Sequence, residues 1–421
     1  GSVNLASLLA DMSGVEFVQR LDKMKSMHMD LTLEEPSPYQ PASAKGDYSD
    51  LNGDEGGTKV MNFEAAWAQG FKGEGQIAAM ADTGLDSGDM NALSPDFQGA
   101  VKSGYFYGMG ANTWNDPMGH GTHVSGSVVS RGVSSNGMFK GGAFGAAFIA
   151  EAMWSPILDN LTVPPKLVKL FDTAYNEGAR VHTNSWGSSR DFGNYDSMAQ
   201  QVDEFMWTHP DFLILFAAGN SGVDMNKDGV IDPGSVSSPG TAKNCLTVGA
   251  SENTTSTGGI QVPISKLKIA KDVWSVEPIF SSKISDNSNG MAMFSSRGPA
   301  KDQRLKPEIA APGTNILSNR SPVPSAEVMW GEYNQYYVYA GGTSMATPLT
   351  AGAATLTREI LAKRYGVANP SAALIKATLV HTAYDMYPGQ YGEGTPTQEF
   401  KTRRPNSDEG YGRVDMKKLV D

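Results

Sequence analysis

Four polar side chains in this 421-residue chain lie in sequence contexts that suit acyl-transfer chemistry. Asp82 and Asn220 each lie just beyond an apolar run, and open α/β sheets carry their reactive groups at the carboxyl ends of such strands. Glycines flank His120 and let a helix begin close to the sheet. We therefore interpret His120, at the start of that helix, as a general base. Ser344 precedes a predicted helix, where the dipole and free backbone N–H groups favour a nucleophile. The Asn220 amide, directed at a carbonyl oxygen, would stabilise the negative charge that develops there.

Each of these residues also has an ordinary structural interpretation. Asp at a strand end makes Asx turns, and Asn is a common turn residue. Ser ahead of a helix is a frequent N-cap. No single motif therefore decides the function.

Two other kinds of catalytic site share parts of these motifs. The Asp-Thr-Gly at Asp82 matches aspartic proteases, which need two carboxylates from two lobes. The other candidate, the Asp-Ser-Gly at Asp86, is only four residues away and cannot come from a second lobe. His120 and His123 are three apart, whereas the helical zinc motif needs a spacing of four with a glutamate between. We therefore interpret His123 as a packed helix histidine.

The elements that position these residues follow an α/β pattern. From Met61 onward, apolar strands alternate with helices, which predicts a mostly parallel central sheet flanked by helices. The candidate strands are Gln76–Ala81, Phe212–Ala217 and Cys245–Gly249. Residues 251–291 carry Thr-, Ser- and Lys-rich stretches, and we interpret them as a surface insertion.

Composition limits the classes of partner. The formal net charge of −11 argues against nucleic acid, since phosphate binding needs a basic face. No run of eighteen apolar residues is present, so the sequence predicts no transmembrane helix. Cys245 is the only cysteine, so no intramolecular disulfide is possible. Packing or metal ions must then stabilise the fold.

Taken together, in the order Asp82, His120, Asn220 and Ser344, the motifs closely resemble the subtilase family, in which the chain order Asp…His…Ser is typical. The other motifs that carry the resemblance are Trp67, Thr183-Asn184-Ser185-Trp186-Gly187, Ser238-Pro239-Gly240, Phe294-Ser295-Ser296-Arg297-Gly298-Pro299, Lys306-Pro307-Glu308, Ala311-Pro312-Gly313-Thr314 and the closing Gly410-Tyr411-Gly412-Arg413-Val414-Asp415. The resemblance covers residues 61–421. It implies a subtilisin-like three-layer catalytic domain and a serine endopeptidase.

The resemblance also implies how a substrate would bind. The substrate would lie extended against Ser185-Trp186-Gly187 as an added strand. The primary specificity pocket would lie between that segment and Ala217-Ala218-Gly219, with its floor near Ser237. None of these residues is charged, so we expect broad preference for uncharged, medium-to-large side chains before the cut.

A loop after Asn220 resembles a calcium-binding loop. Asp224, Asn226, Asp228 and Asp232 place oxygen ligands at positions one, three, five and nine of an EF-hand-like loop, with a glycine at six. The backbone carbonyl of Val230 would supply position seven. The departure is Ser235 at position twelve, where a bidentate glutamate is expected, so another group or water must fill in. We predict structural calcium here.

Residues 1–60 read as an N-terminal extension with a linker at residues 34–41. The helix-like Leu5–Met12 and the strand-like Val15–Val18 resemble the end of the pro-segment with which subtilases are generally made. Such a segment would be lost by autocatalysis in the Met27–Pro41 region. The alternative is a permanent extension packed on the catalytic domain.

The family resemblance leaves two other functions open. A catalytically dead scaffold would fail to react with a fluorophosphonate probe, and a ligase or macrocyclase would open the acyl-enzyme with an amine. The favoured prediction is a monomeric extracellular enzyme acting on proteins or peptides, with its signal sequence outside this chain and no nucleic-acid or membrane partner. Met345 follows the nucleophile, and its oxidation would place a polar sulfoxide beside the oxyanion site.

Overall fold

The computed structural model describes Met12, residues 23–34 and residues 45–421. The predicted strand Val15–Val18, and the predicted helix Leu5–Met12 apart from Met12 itself, lie outside the described residues.

Strands and helices alternate along the described chain. The strands are β1 (Met24–Ser26), β2 (Ile77–Asp82), β3 (Val101–Phe106), β4 (Ala147–Ala152), β5 (Trp154–Ser155), β6 (Asn160–Leu161), β7 (Val181–Asn184), β8 (Trp186–Ser188), β9 (Leu213–Ala217), β10 (Leu246–Ser251), β11 (Ile309–Pro312), β12 (Ile316–Asn319), β13 (Gly331–Glu332) and β14 (Tyr337–Ala340). The α-helices are α1 (Phe63–Ala68), α2 (His120–Val129), α3 (Val168–Asn176), α4 (Ser197–Thr208), α5 (Ala270–Val273), α6 (Thr343–Tyr365), α7 (Ala372–Thr382) and α8 (Met416–Val420). Short 3-10 helices span Asp54–Gly56, Val133–Ser135 and Ile264–Lys266.

Seven parallel strands form the central sheet, in the order β11-β10-β9-β7-β2-β4-β3. The inner strands are apolar along their length because flanking helices cover them; all five residues of β9 are buried. The candidate strands coincide with β2, β9 and β10 to within two residues at either end. The predicted α/β class with a mostly parallel central sheet and flanking helices is confirmed.

Two helices pass through the interior beside the sheet. Helix α6 packs against β7, β9, β10 and β11, and α2 packs against α6. Every residue of α2 is buried, and so is every residue of α6 from Thr343 to Leu361. Small side chains make this possible: a methyl group at Gly352 would lie 3.1 Å from the Cα atom of Gly142. Four threonine hydroxyls of α6, those of Thr347, Thr350, Thr355 and Thr357, donate to carbonyl oxygens four residues earlier, which satisfies them without water.

Residues 251–291 are anchored to the domain by apolar side chains. Ile264, Leu267 and Trp274 are almost fully buried, and the Trp274 indole N–H donates to the carbonyl oxygen of Gly222 at 3.1 Å. The predicted surface insertion is therefore a packed segment whose lysines face outward.

Residues 45–60, which we predict as part of the N-terminal extension, also pack on the domain. The Tyr48 ring lies 5.6–6.2 Å from the rings of Phe139, Tyr333 and Tyr337, and its backbone N–H donates to the Tyr333 hydroxyl oxygen at 2.9 Å. This part of the chain is held by aromatic packing.

Candidate active site

The end of β2 and the start of α2 bring a carboxylate and an imidazole together. Asp82 is the last residue of β2 and His120 the first of α2; Gly119 before it takes φ 97°, which glycine adopts without strain. The Nδ1 atom of His120 lies 2.6 Å from Oδ1 of Asp82, and both side chains are fully buried. Within the described ranges, the His120 Nε2 atom has no hydrogen-bond partner. It is therefore the nitrogen available to accept a proton.

A second buried carboxylate, Asp116, ties these two elements to each other. Its Oδ1 accepts the Thr83 hydroxyl and the Gly119 N–H, both at 2.8 Å. Its Oδ2 accepts the N–H and the hydroxyl of Thr122 at 2.7 and 2.6 Å. Burial raises the pKa of Asp116, and these hydrogen bonds oppose that shift by stabilising the carboxylate. Asp116 thus fixes the angle at which α2 presents His120.

Ser344 lies in the first turn of α6, beside β8. Its hydroxyl donates to the carbonyl oxygen of Ser185 at 2.9 Å, and the Ser185 hydroxyl donates to the carbonyl oxygen of Ser344 at 2.9 Å. In the described structure the Ser344 hydroxyl is therefore directed at Ser185 and not at His120.

The first turn of α6 and the Asn220 amide both donate to a carbonyl oxygen of the chain itself. The carbonyl oxygen of Met27 accepts the Ser344 backbone N–H at 3.0 Å and the Asn220 Nδ2 at 2.6 Å. Two donors that converge on one carbonyl oxygen are the arrangement that an oxyanion hole requires. The carbonyl group of the Met27–His28 peptide bond is held by both of them.

The Asn220 side chain is held in one orientation by its own oxygen. Oδ1 accepts both the backbone N–H and the hydroxyl of Thr343 at 2.9 Å, so Nδ2 must point at Met27. Gly342 leaves room for the bound oxygen, because a methyl group there would lie 2.3 Å from it. Thr343 therefore orients the Asn220 amide, and Gly342 leaves the space that the Met27 carbonyl oxygen occupies.

The segment around Met27 lies extended across the site. Strand β1 pairs antiparallel with β8, with Lys25 opposite Gly187. The Met27 N–H donates to the carbonyl oxygen of Ser185 at 2.8 Å. Beyond the carbonyl, the Met29 N–H donates to Gly341 at 2.7 Å, and the Trp330 indole donates to the Met29 carbonyl oxygen at 2.6 Å. The backbone is therefore held on both sides of Ser344.

Two methionine side chains of this segment are buried by the domain. The Met27 side chain is 6% exposed. A Cβ atom placed on Gly187 would lie 2.9 Å from the Met27 Cε and 3.2 Å from the Ser237 Cβ. Met24, three residues earlier, is 5% exposed. Met24 and Met27 are thus covered by the domain, whereas Lys25 between them faces solvent.

The remaining predicted pocket residues line the carboxyl end of β9 and strand β8. Ala217 and Ala218 are buried, and the Ser237 N–H donates to the Ala218 carbonyl oxygen at 2.8 Å. Gly219 takes φ 112°, and a methyl group there would lie 2.5 Å from the Ser237 hydroxyl oxygen. The Trp186 indole points into the core and donates to Ala81 at 3.0 Å, so Trp186 meets the segment through its backbone.

The other histidines near the site differ from His120. His123 is fully buried and its Nε2 bonds the carbonyl oxygen of Ile316 at 2.9 Å; burial lowers its pKa to about 3, so it stays neutral. The His28 ring lies 5.2 Å from the His120 ring, and its Nε2 lies 3.1 Å from Oδ1 of Asp30. His28 follows the bond held at Ser344.

The predicted calcium loop folds around its own carboxylates. The two Asp224 oxygens accept the N–H groups of Asp228 and Gly229 at 3.1 and 3.0 Å, and Asp232 accepts that of Met225 at 2.8 Å. Asn226 accepts the Asp228 N–H at 3.0 Å. In the described part of the chain, no three His, Cys, Asp or Glu side chains converge as a metal cluster. The carboxylates of Asp224, Asp228 and Asp232, three of the predicted donors, therefore do not form such a cluster, and calcium at this loop stays a prediction.

The structure brings Asp82, His120, Asn220 and Ser344 to one cleft, with the predicted substrate segments beside them. Sequence reasoning missed Asp116, Thr343 and Trp330. It expected self-cleavage within Met27–Pro41 but did not predict that Met24–Met29 lies in the cleft, paired with β8.

Comparisons with known proteins agree with this geometry. A model of the subtilase family, Peptidase S8, matches residues 73–412. The chain is 31% identical over 384 residues to the serine protease/ABC transporter B family protein tagD of Dictyostelium discoideum, which covers 74% of this chain and 20% of that protein. It is 28% identical to the serine protease AprX of Bacillus subtilis, covering 68% and 58%, and 26% identical to Subtilisin BL of Lederbergia lenta, covering 82% and 98%. The chain therefore belongs to the subtilase family of serine endopeptidases. It spans about a fifth of the length of the Dictyostelium relatives it matches.

Two solved structures share the fold. Fervidolysin from Fervidobacterium pennivorans, described as a keratinolytic enzyme related to subtilisin, aligns with a TM-score of 0.59 and 21% identity over 94% of this chain and 51% of that one. The prenylagaramide maturation protease PagA aligns with a TM-score of 0.55 and 19% identity over 85% and 96%. Among the described residues, no helix is long and apolar enough to cross a membrane.

The glycines at the two ends of α6 provide a matched test of the oxyanion hole. Gly342→Ala should lower kcat/KM by about 10²–10³-fold, the range for loss of an oxyanion-hole donor, because its methyl group displaces the bound carbonyl oxygen. Gly366 also has a positive φ, 71°, but open space around it. Gly366→Ala should cost about 1 kcal/mol of stability and leave kcat/KM unchanged. Peptide hydrolysis and thermal unfolding measure both effects; equal kcat/KM values for the two variants would contradict the assignment.

Proposed function

We propose that this chain is a secreted serine endopeptidase that first cuts its own Met27–His28 bond and then cleaves proteins or peptides after uncharged, medium-to-large side chains. The observation that carries the proposal is the Met27 carbonyl oxygen, bound by both the Ser344 N–H and the Asn220 amide. A bond held in this way is presented to the nucleophile as a substrate.

The proposed chemistry uses four side chains. Ser344 Oγ attacks the carbonyl carbon while His120 Nε2 takes its proton, and Asp82 holds the ring in the tautomer that accepts it. Ser344 N–H and Asn220 hold the oxyanion. His120 then passes the proton to the leaving amine, which is the new N-terminus at His28 in the first reaction. Water opens the acyl-enzyme by the same route.

Met24 and Met27 support the substrate preference. Both are unbranched, apolar and buried, while Lys25 between them faces solvent. Near Met27 the cleft offers Gly187, Ser237 and the β9 end, none of which is charged. An apolar pocket of this kind discriminates only weakly between side chains of similar size, so selectivity is broad.

Calcium at residues 224–232 is part of the proposal. Asp224, Asn226, Asp228, Asp232 and the Val230 carbonyl would hold it, and the ion would brace a loop in a chain with one buried cysteine. The Asx turns of the loop, with the Gly229 N–H on Asp224, are compatible with an EF-hand-like path. The extracellular location and the monomeric state stay predictions.

Self-processing gives a direct test. On incubation, the wild-type chain should lose residues 1–27 and show His28 as its new N-terminus, by intact mass and N-terminal sequencing. Ser344→Ala should keep Gly1, because the nucleophile is missing; loss of the nucleophile in a subtilisin lowers turnover about 10⁶-fold. Ser344→Ala should also fail to react with a fluorophosphonate probe that labels the wild type.

Met27→Asp should slow processing at this bond strongly, since it buries an unpaired charge in an apolar pocket. Met90→Asp is the control, because Met90 is exposed and far along the chain from the cleft segment. A wild-type chain that keeps Gly1 throughout, or a Met27→Asp chain that is cut as fast as Met90→Asp, argues against the assignment of this bond.

Calcium removal tests the loop. Wild-type protein should melt at a lower temperature in EDTA than in calcium, because an ion that binds only the folded state stabilises it by about 2.7 kcal/mol at a hundred times its Kd. Asp228→Asn should lose most of this difference. Asp159→Asn, a change at an exposed residue with φ 48°, should keep it. Identical melting of the wild type with and without EDTA, with no metal found by native mass spectrometry, would remove calcium from the proposal.

A further inference from the structure

The chain beyond the held bond does not leave the domain after Met29. Leu33 forms an antiparallel bridge with Leu267. The Lys268 N–H donates to the Thr32 carbonyl oxygen at 2.9 Å, and the Glu34 N–H donates to the Lys266 carbonyl oxygen at 2.8 Å. Residues 32–34, which lie five to seven residues after Met27, are therefore bound through their backbone.

Side chains add to this backbone pairing. Leu33 is half-buried against the apolar core. The Glu34 carboxylate lies 2.7 Å from the Lys271 ammonium. The hydrogen bond from Lys271, its charge and the charge of Lys266 lower the pKa of Glu34. The contact thus combines an apolar position with an acidic one.

The surface that makes these contacts, residues 264–273, is supported by buried side chains. Ile264, Leu267 and Ala270 are buried beneath it. At its end, the Val273 carbonyl oxygen accepts the Asp224 N–H at 2.8 Å, which joins the surface to the proposed calcium loop. Its outward charges are Lys266, Lys268, Lys271 and Asp272, so the face is basic on balance.

We propose that residues 264–273 form a substrate-docking surface on the leaving-group side of the cleft, which binds an extended polypeptide with an apolar residue six positions and an acidic residue seven positions after the cut. The proposal rests on cleavage at Met27–His28. Residues 31–34 are the occupant in the unprocessed chain. After processing they stay tethered to the domain, and protein substrates with the same pattern compete with them for the surface. Lys271 is the residue that sets the preference for an acidic side chain.

One-pot competition between peptides tests this surface. Processed wild-type enzyme receives a peptide of residues 23–36, the same peptide with Glu34→Lys, and a peptide ending at Asp30; mass spectrometry gives the relative kcat/KM values for cutting after Met27. The Glu34→Lys peptide should be cut about two to five times more slowly, the range for one exposed ion pair. The short peptide should be cut about ten times more slowly, because it also loses two backbone hydrogen bonds.

Lys271→Glu enzyme should lose or reverse the preference for the unchanged peptide over the Glu34→Lys peptide. Lys283→Glu is the matched control. Lys283 is also exposed within residues 251–291 but lies outside the surface 264–273, and its substitution changes the net charge equally. Equal cutting of the three peptides by wild-type enzyme, or an unchanged preference in Lys271→Glu, overturns the docking surface. Absence of cutting after Met27 in every peptide is a different result and overturns the proposed function on which it rests.

Discussion

The burial of helix α6 is the constraint on which the active site depends. From Thr343 to Leu361 the helix has no face exposed to water, so most of its side chains are small or apolar and each polar group needs a partner inside the protein. Four threonine hydroxyls find that partner within the helix, whereas Thr343 and Ser344 bond Asn220 and Ser185. Such a helix cannot shift without disturbing the strands and helix α2 that surround it, because interiors are packed without spare volume. Its first turn is consequently a fixed point, and that turn carries both Ser344 and one oxyanion donor.

Around this fixed point the cleft binds backbone more than side chains. Ser185, Gly341 and Trp330 bond the peptide groups on either side of Met27, and residues 266 and 268 bond those further along. Hydrogen bonds to peptide groups do not depend on side-chain identity, so they position any extended chain. Under the proposed function, discrimination between substrates is left to a few contacts at the positions of the two buried methionines and of Glu34.

The sheet and helices could be predicted, and the four candidate catalytic residues could be singled out, because each rests on a local pattern. Buried parallel strands read as continuous apolar runs, and His120 and Ser344 lie in short glycine-flanked motifs. The path of residues 24–34 could not be predicted, since a three-residue added strand has no periodicity and methionines at i and i+3 resemble a helix face. Asp116 was missed because its sequence context is that of an ordinary loop aspartate. Its partner Thr83 lies 33 positions away, and no local pattern connects the two residues. The burial under residues 251–291 was hidden by their polar composition.

The covalent link between the cleft segment and the rest of the chain has a kinetic consequence. In the proposed self-cleavage, the encounter of Met27 with Ser344 is unimolecular, because its effective concentration is set by the connecting chain and not by the amount of protein. Dilution would therefore leave the half-life of this step unchanged, while cutting between molecules would slow in proportion. After the proposed scission the two products would differ. The Met24–Met27 side would be held only by reversible contacts and could be diluted away, whereas the His28 side would remain attached to the domain and rebind at a rate that dilution does not affect.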